Sequence, residues 1–212
     1  YQHKGWQLTA AALWQLQYLS TGPNGKSEEY IKNSCVPEFY FGVDRKGDGW
    51  QVGAGVDVLS IVPRKQNVVE GKIFKVSERV TGVSGELHAK YQDKDWFIAA
   101  KTLYATNLAH TCMLGGYGVT AIDSRTGEQD YAPFHHATAW LNVVYGKKWK
   151  PGLFVGYLKN LGANTSLVGG SYGVGLEVDQ LFTTNWQLSY NLPHWKLGVE
   201  YAPSFAWFGT ID

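Results

Sequence analysis

Apolar and polar residues alternate along most of this chain. In the first long segment, Gly5–Leu19, the even positions are mostly apolar, from Trp6 to Tyr18, and the odd positions are mostly polar. Such alternation is typical of a β-strand with one apolar face, because successive side chains point to opposite sides. No stretch keeps the helical period over three turns, and "YIKN" is helix-compatible but short. The pattern therefore predicts an all-β chain.

Nine segments show this period of two, and no linker or low-complexity tract separates them, so we expect one domain over residues 1–212. The eighth segment leaves open a break near Thr183–Asn185. The segments are Gly5–Leu19, Val36–Asp44, Trp50–Ile61, Thr81–Tyr91, Asp95–Thr106, Ala137–Gly146, Gly152–Asn160, Tyr172–Leu192 and Trp195–Ala206.

The links between these segments alternate between long and short. The short ones are "RKGDG", "QDKD", "GKKWK" and "NLPH", and the longest is Asn107–His136. Membrane barrels have short periplasmic turns and longer outer loops. In a soluble sandwich, nothing requires long and short loops to alternate along the chain. No run of eighteen apolar residues exists, which excludes a transmembrane helix. We therefore expect an antiparallel transmembrane β-barrel with short periplasmic turns and long extracellular loops.

The same rhythm bears on closure of the barrel. If the long links lie outside, the first and ninth segments both run outward, and "FGTID" lies on the outer side. Bacterial single-chain barrels have an even number of strands. We therefore expect at least one closing strand after Asp212, and the 212 residues to be an incomplete part of a larger barrel.

Aromatic spacing supports a membrane strand in the first segment. Trp6 and Tyr18 are twelve residues apart, which spans about 28 Å along a barrel axis at a tilt of about 45°. The apolar band of an outer-membrane barrel is about 25 Å tall, with aromatic girdles at both edges. The girdle candidates are Trp6, Tyr18, Trp96, Tyr104 and Trp195. The alternative is a soluble β-sandwich or lipocalin-like barrel, which also alternates and carries Trp and Tyr.

Charge and cysteine content exclude some functions and leave others open. Lys and Arg number 19 against 18 Asp and Glu, which gives no electrostatic case for nucleic-acid binding. His110, Cys112 and the adjacent His135 and His136 lack zinc-ligand spacing, so we expect no metal site. Whether Cys35 and Cys112, both in long loops, form a disulfide stays open.

The chain resembles bacterial outer-membrane porins, most closely the porin-type barrels of Bacteroidota, including the DcaP-like kind. The stretches that carry the resemblance are "LTAAALWQLQYLSTGPNGKSEEYIKNSCVPEFYFGVD", "GAGVDVLSI", "LGGYGVT" and "WKLGVEYAPSFAWFGTID". The resemblance implies an outer membrane of a Gram-negative bacterium, passive diffusion of small polar solutes or ions, a homo-trimer or other envelope partners, and no cofactor or catalytic residue. The family ends on a strand with a terminal aromatic residue, whereas this chain ends at Asp212.

The polar face of the predicted strands supplies the candidate pore lining. Its fixed charges, six acids against three lysines, suggest a mild cation preference. The candidates are Glu38, Asp57, Glu86, His88, Lys90, Lys101, Glu177, Asp179, Lys196 and Glu200.

Two alternatives to an open porin remain at this stage. A plugged barrel would act as a scaffold or bind envelope partners, and bulky inward residues such as Phe97 and Trp140 fit it. A barrel-embedded hydrolase would need a nucleophile and a base within reach on the barrel wall, and the sequence shows no such pair. Glu177 and Asp179 are spaced as in some carboxylate catalysts, but a solvated lumen explains them equally. Whether "GGYGV" (115–119) lets the longest loop enter the pore also stays open.

Overall fold

The structure, a computed structural model, describes residues 1–209 and is an all-β, antiparallel fold. It has one short α-helix, α1 (Glu29–Ser34), and one 3₁₀ turn, Ala109–Thr111. No helix in the described part of the chain is long and apolar enough to cross a membrane. The strands are β1 (Gln2–His3), β2 (Trp6–Leu13), β3 (Thr21–Gly22), β4 (Gly25–Lys26), β5 (Glu38–Lys46), β6 (Trp50–Ile61), β7 (Gln66–Val69), β8 (Lys72–Lys75), β9 (Val80–Gln92), β10 (Trp96–Thr106), β11 (Gly115–Ile122), β12 (Gln129–Pro133), β13 (His135–Tyr145), β14 (Trp149–Gly162), β15 (Ser171–Val174), β16 (Val178–Asn191), β17 (Lys196–Tyr201) and β18 (Ser204–Phe208).

The main sheet is an antiparallel meander of eleven strands in the order β1-β2-β5-β6-β9-β10-β13-β14-β16-β17, with β18 also paired to β16. Trp186 lies opposite Tyr201 and Thr183 opposite Ser204, so the register continues from β17 into β18. The two therefore form one edge strand that is interrupted at Pro203, which has no N–H to donate.

This sheet is open within residues 1–209. Its edges are the β1–β2 hairpin on one side and β17–β18 on the other. Neighbouring long strands alternate in direction, so β2 and β17–β18 run the same way. Direct pairing of the two edges would be parallel, unlike every other pair in the sheet. Of the predicted antiparallel barrel, the structure thus confirms the antiparallel sheet. Closure of that sheet into a barrel is not seen within residues 1–209.

The third predicted segment coincides with β6, but the first is much shorter than expected. The strand ends at Leu13 instead of Leu19. The Gln15 side chain accepts hydrogen bonds from the backbone N–H and hydroxyl of Ser20, both at 2.9 Å, and this closes a loop directly after the strand. The predicted fifteen-residue strand is therefore wrong, and Tyr18 lies in the loop that follows.

The eighth predicted segment is two strands that belong to different sheets. β15 pairs with β11, whereas β16 belongs to the main sheet and runs without interruption through Thr183–Asn185. The break falls instead at Gly175, whose φ of 60° directs a turn that an L side chain adopts only with strain. Glu177 consequently precedes β16, so the predicted strand pair of Glu177 and Asp179 is wrong.

Long and short connections alternate as the sequence predicts. The main-sheet strands are joined by short turns at residues 47–49, 93–95, 146–148 and 192–195. The long connections at the opposite end are residues 14–37, 62–79, 107–134 and 163–177, and together we name them the loop cap. The cap contains the hairpins β3–β4 and β7–β8 and the small sheet β12-β11-β15.

The loop cap holds an apolar cluster whose side chains are almost fully buried. Its buried side chains come from α1, β11 and the adjoining ends of two main-sheet strands: Tyr30, Ile31, Leu59, Ile61, Val80 and Tyr117. Backbone and side-chain bonds join the connections to each other, among them Val62 N–H to the Tyr30 carbonyl at 3.0 Å and Arg64 to the Tyr172 hydroxyl at 3.2 Å. Cys35 and Cys112 both lie in this cap as free, exposed thiols.

The two faces of the main sheet differ sharply. On β9, Val83 is 52% exposed and the next residue, Ser84, only 2%. The predicted separation of apolar and polar positions is confirmed on β2, β5, β6 and β9. Strand pairing there places the apolar positions of one strand beside those of the next, and the polar positions likewise. We call the two sides the apolar face and the polar face. Exposed members of the apolar face are Phe39, Phe41, Val43, Val52, Val56, Val83, Leu87, Leu141, Trp186, Leu188 and Val199.

Replacing Tyr117 tests whether its ring anchors the loop cap. The ring is fully buried and packs edge-on against Tyr131 at 5.5 Å, and burial raises the pKa of both phenols, that of Tyr131 to about 12. We expect Tyr117→Ala to lower the free energy of unfolding by about 3–5 kcal/mol, as for other large aromatic deletions. Tyr117→Phe is the control, since no described residue hydrogen-bonds this hydroxyl. Denaturant unfolding measures both, and equal losses would contradict a packing role.

The turn between β9 and β10 predicts a pH-dependent term in stability. The Asp93 carboxylate accepts the backbone N–H groups of Asp95 and Trp96 at 2.8 and 2.7 Å, and these bonds lower its pKa. Such a group contributes stability that is complete above its unfolded pKa of about 3.9 and is lost as pH falls through the folded pKa. Relative to Asp93→Asn, the wild-type chain should therefore lose stability only in that acidic range. Unfolding free energies measured from about pH 7 to about pH 2 test this, and a constant difference would contradict it.

Candidate functional site

Polar side chains of four adjacent strands, β5, β6, β9 and β10, meet on the polar face. Alternation along each strand places them on one side, and the antiparallel register brings them opposite each other. This set is Glu38, Tyr40, Asp44, Gln51, Asp57, Ser84, Glu86, His88, Lys90 and Lys101. It includes six of the ten predicted pore-lining residues, so the structure gathers most of the candidates at one place.

The first cluster on this face is centred on Asp44. Its Oδ1 lies 2.8 Å from Nε2 of His88, and Gln51 donates a hydrogen bond to the same oxygen at 2.6 Å. His88 comes from β9 and Asp44 from β5, so this contact crosses over β6, which lies between them. The cluster therefore ties three strands together through side chains.

The second cluster is centred on Glu86. The Tyr40 hydroxyl donates to Glu86 at 2.7 Å, again across β6, and Lys101 of β10 forms an ion pair with the same carboxylate. Nδ1 of His88 lies 3.8 Å from Glu86 Oε1, which places the two clusters side by side. Charges in this part of the face are thus largely compensated within the protein.

Glycines in β6 make both crossings possible. A Cβ atom on Gly53 would lie 2.5 Å from His88 Nε2 and 2.6 Å from Asp44 Oδ1. A Cβ atom on Gly55 would lie 2.4 Å from the Tyr40 hydroxyl oxygen. The missing side chains at these two positions leave the space that the neighbouring strands' side chains occupy.

A third cluster joins the polar face to the loop cap. Nε2 of His110, in the 3₁₀ turn, lies 2.9 and 3.0 Å from the two carboxylate oxygens of Glu38. Asp57 lies on the same face, opposite Tyr40 and diagonal to Glu38. Glu38 and His110 are both buried, although the sequence places one on a strand and the other in the longest link. The contact holds the 3₁₀ turn over the polar face.

A cavity of about 420 Å³ lies between this turn and the strands. It is lined by polar-face side chains on one side and, on the other, by Thr111 of the turn and by Leu108 and Met113 on either side of the turn. The segment that reaches the polar face therefore precedes "GGYGV". Gly115–Val119 themselves lie in β11 of the small cap sheet.

The remaining predicted lining residues lie apart from these clusters. Glu177 is in the turn before β16, and Asp179 is ion-paired to Lys159 at 2.5 Å. Glu200, on the exposed edge, accepts a hydrogen bond from Asn185 at 3.3 Å. Lys196 is exposed on the same edge, opposite Asn191. The structure does not bring these residues to the polar clusters of β5–β10.

The sequence reasoning missed four members of the clusters: Tyr40, Asp44, Gln51 and His110. Tyr40 and Asp44 alternate with apolar residues in the second segment, so their positions were available from the pattern. Two glycines on the next segment were the further signal, because they leave room for side chains to meet: Gly53 lies directly opposite Asp44, and Gly55 lies diagonal to Tyr40. Nothing in the sequence pattern indicates the loop residue His110.

Aromatic residues line the apolar face where the strands meet the short turns. Directly opposite pairs are Trp96 with Tyr145 and Trp149 with Tyr190, each with ring centroids 4.5 Å apart. The Arg45 guanidinium lies 5.3 Å from the ring of the predicted girdle residue Trp6. Trp195, another candidate, adjoins the last short turn. Trp6, Trp96 and Trp195 therefore belong to a longer aromatic row at the turn end, and Tyr18 and Tyr104 do not.

Tyr104 is the one predicted girdle residue on a strand near the loop cap. It is exposed on the apolar face, and its hydroxyl lies 2.7 Å from Nδ1 of His135. The neighbouring His136 is buried. In residues 1–209, no group of three or more His, Cys, Asp or Glu side chains is placed to hold a metal ion.

Comparisons of this chain with protein-family models, with curated proteins and with solved structures give no match.

Substituting Gly55 tests whether the polar face depends on the space above β6. We expect Gly55→Ala to displace the Tyr40 ring from Glu86 and to lower the free energy of unfolding by about 1–3 kcal/mol, as overpacking does. Gly85→Ala on β9 is the matched control, because its added Cβ would meet only one atom, at 4.0 Å. Denaturant unfolding compares the two variants. Equal effects would show that glycine is needed in these strands for another reason.

Proposed function

We propose that this sheet is the wall of an outer-membrane pore, through which small polar solutes or ions diffuse passively. In this proposal the apolar face contacts lipid and the polar face lines the aqueous path. The supporting observation is the pairing of an exposed apolar face with a polar face built on the same strands. A closed wall would require an odd number of further antiparallel strands between the two edges, because both edges run in the same direction.

The accessible surface supports a lipid-facing side. The chain exposes 12666 Å², whereas a compact soluble monomer of this mass exposes about 9,800 Å². Much of the exposed area is large and apolar, including Leu87 at 60% and Val199 at 69%. Soluble monomers rarely expose contiguous apolar patches larger than a few hundred Å². A soluble sandwich would bury this face, so the observation favours the membrane interpretation.

The ends of the sheet fit the same interpretation. The aromatic row on the apolar face adjoins the short turns, at the level where Trp and Tyr keep an apolar ring in lipid and a polar atom near water. The loop cap occupies the other end. The proposal places the short turns in the periplasm and the loop cap outside, as in barrels of this kind.

The polar face suggests how solutes would be selected. Glu38, Asp57, Glu86 and Asp44 outnumber the two lysines of this face, Lys90 and Lys101, and fixed charges bias which ions enter. The turn held by His110 narrows the path at the loop end. We propose mild cation preference, with the constriction where the loop cap meets β5 and β6.

A second candidate is a plugged barrel that serves as a scaffold or binds envelope partners. The observation in its favour is that the polar face is partly covered by the 3₁₀ turn and that two of its clusters are satisfied internally. Such a barrel would fold and insert but would not conduct. Association as a homo-trimer is compatible with either candidate and stays a prediction.

Planar-bilayer recordings of the purified protein test the proposal. We expect stepwise, ohmic conductance and a reversal potential that favours cations in a salt gradient. Replacing both Glu38 and Asp57 by their amides should move the reversal potential toward zero, because the charges nearest the constriction are removed. The control is Asp130→Asn, at an exposed position of β12 in the loop cap. Silence from correctly folded protein would favour the plugged barrel, and anion preference would contradict the charge assignment.

A further inference from the structure

Residues 107–112, which include the 3₁₀ turn over the polar face, are attached to the strands by a single polar contact. Two backbone hydrogen bonds, at 3.0 and 3.3 Å, and that of the Thr111 hydroxyl, at 2.8 Å, all stay within the segment. Among residues 1–209, the only hydrogen bond that leaves the segment is the one between His110 and Glu38. The segment is therefore a self-contained unit, and we name it the strap.

Both ends of the strap have a backbone conformation that residues other than glycine rarely adopt. Asn107 has a φ of 53° and Cys112 a φ of 64°. Immediately before the strap, Thr106 is fixed to β9, because its N–H donates to the Ser84 hydroxyl at 3.0 Å and its hydroxyl to the Val83 carbonyl at 2.9 Å. Beyond the strap the chain enters β11, which is paired on both sides. Changes of φ and ψ at the two end residues would let the strap swing between these fixed points.

Opposing contributions determine how firmly the strap is held. Leu108 and Ala109 are buried, which favours the position seen here. Nδ2 of Asn107 and Nδ1 of His110 are buried as well, and no described residue forms a hydrogen bond with either atom, which opposes it. The cavity of about 420 Å³ beneath the strap leaves its contact with the strands incompletely packed. A raised strap would return both nitrogen atoms to water.

We infer that the strap is a hinged gate that swings between the seated position seen here and a raised position, with the Glu38–His110 contact as its latch and Asn107 and Cys112 as its hinges. Because the latch is one contact between two side chains, it can open without unfolding of the sheet or of the loop cap. The effect of the gate on conduction rests on the proposed function, since a raised strap would widen the path at the constriction.

Labelling of a buried thiol measures how often the strap is raised. The reporter is Ala109→Cys, at a position only 4% exposed, in a Cys35→Ser, Cys112→Ser background. Detergent-solubilised protein reacts with a water-soluble maleimide, and the labelling rate follows the raised fraction. We expect His110→Ala to accelerate labelling at least about tenfold, since the strap loses a hydrogen bond to a charged group. His110→Gln should restore much of the protection, because its amide can still donate to Glu38.

The matched control is Ala105→Cys in the same background, because Ala105 is 1% exposed and lies in β10 just before the strap. Its labelling should stay slow in both His110 variants. Glu38→Gln removes the charge on the other side of the latch and should also accelerate labelling at position 109, so the test does not depend on one variant. Equal acceleration at both reporter positions, or equal labelling of position 109 with and without the latch, would overturn the inference.

Bilayer recordings distinguish the gate from the proposed pore. We expect His110→Ala to raise the mean conductance, because the strap is raised for more of the time, and an unchanged mean conductance would overturn the gate. Labelling in detergent requires no conduction, so latch-dependent labelling of a protein that is silent in bilayers overturns only the pore. Ohmic conductance with latch-independent labelling overturns only the gate.

Discussion

The structure depends on one constraint, the two-residue alternation that antiparallel pairing keeps in register across the sheet. On β9, Leu87 and Glu86 are neighbours in sequence but lie on opposite faces. A slip of one residue in the pairing of β6 with β9 would bring the carboxylates of one strand against the valines of the other. Separation of the faces is therefore a property of the whole sheet, and the clusters of the polar face exist only because the register is kept.

The loop cap adds what the strands alone lack, a cluster of fully buried side chains. Tyr30 of α1 and Tyr117 of β11 pack with the ends of β6 and β9, so connections far apart in sequence form one unit. From this unit the 3₁₀ turn reaches the polar face through His110 and Glu38. The contents of the polar face are thus set jointly by the strands and by a connection that lies outside the alternating pattern.

Alternation predicted the strands and their faces because it reports which side of each strand meets which environment. It located β6 at both ends and assigned Val83 and Ser84 to opposite faces. It failed where local bonds compete with pairing: Gln15 binds Ser20 and ends β2, and Gly175 turns the chain before β16. It could not indicate contacts between elements distant in sequence, such as His110 with Glu38 or His88 with Asp44, because these depend on which strands become neighbours.

The two glycines of β6 have a consequence for how the sheet is aligned. Alternation distinguishes odd from even shifts only, so a slip of two residues would keep every side chain on its proper face. Such a slip would put Gln51 in the place of Gly53 or Asp57 in the place of Gly55, according to its direction, and one of the two crossings from β5 to β9 would be blocked. The two glycines therefore fix the register of β6: of the several alignments that the alternating pattern permits, only the observed one leaves room for both crossings.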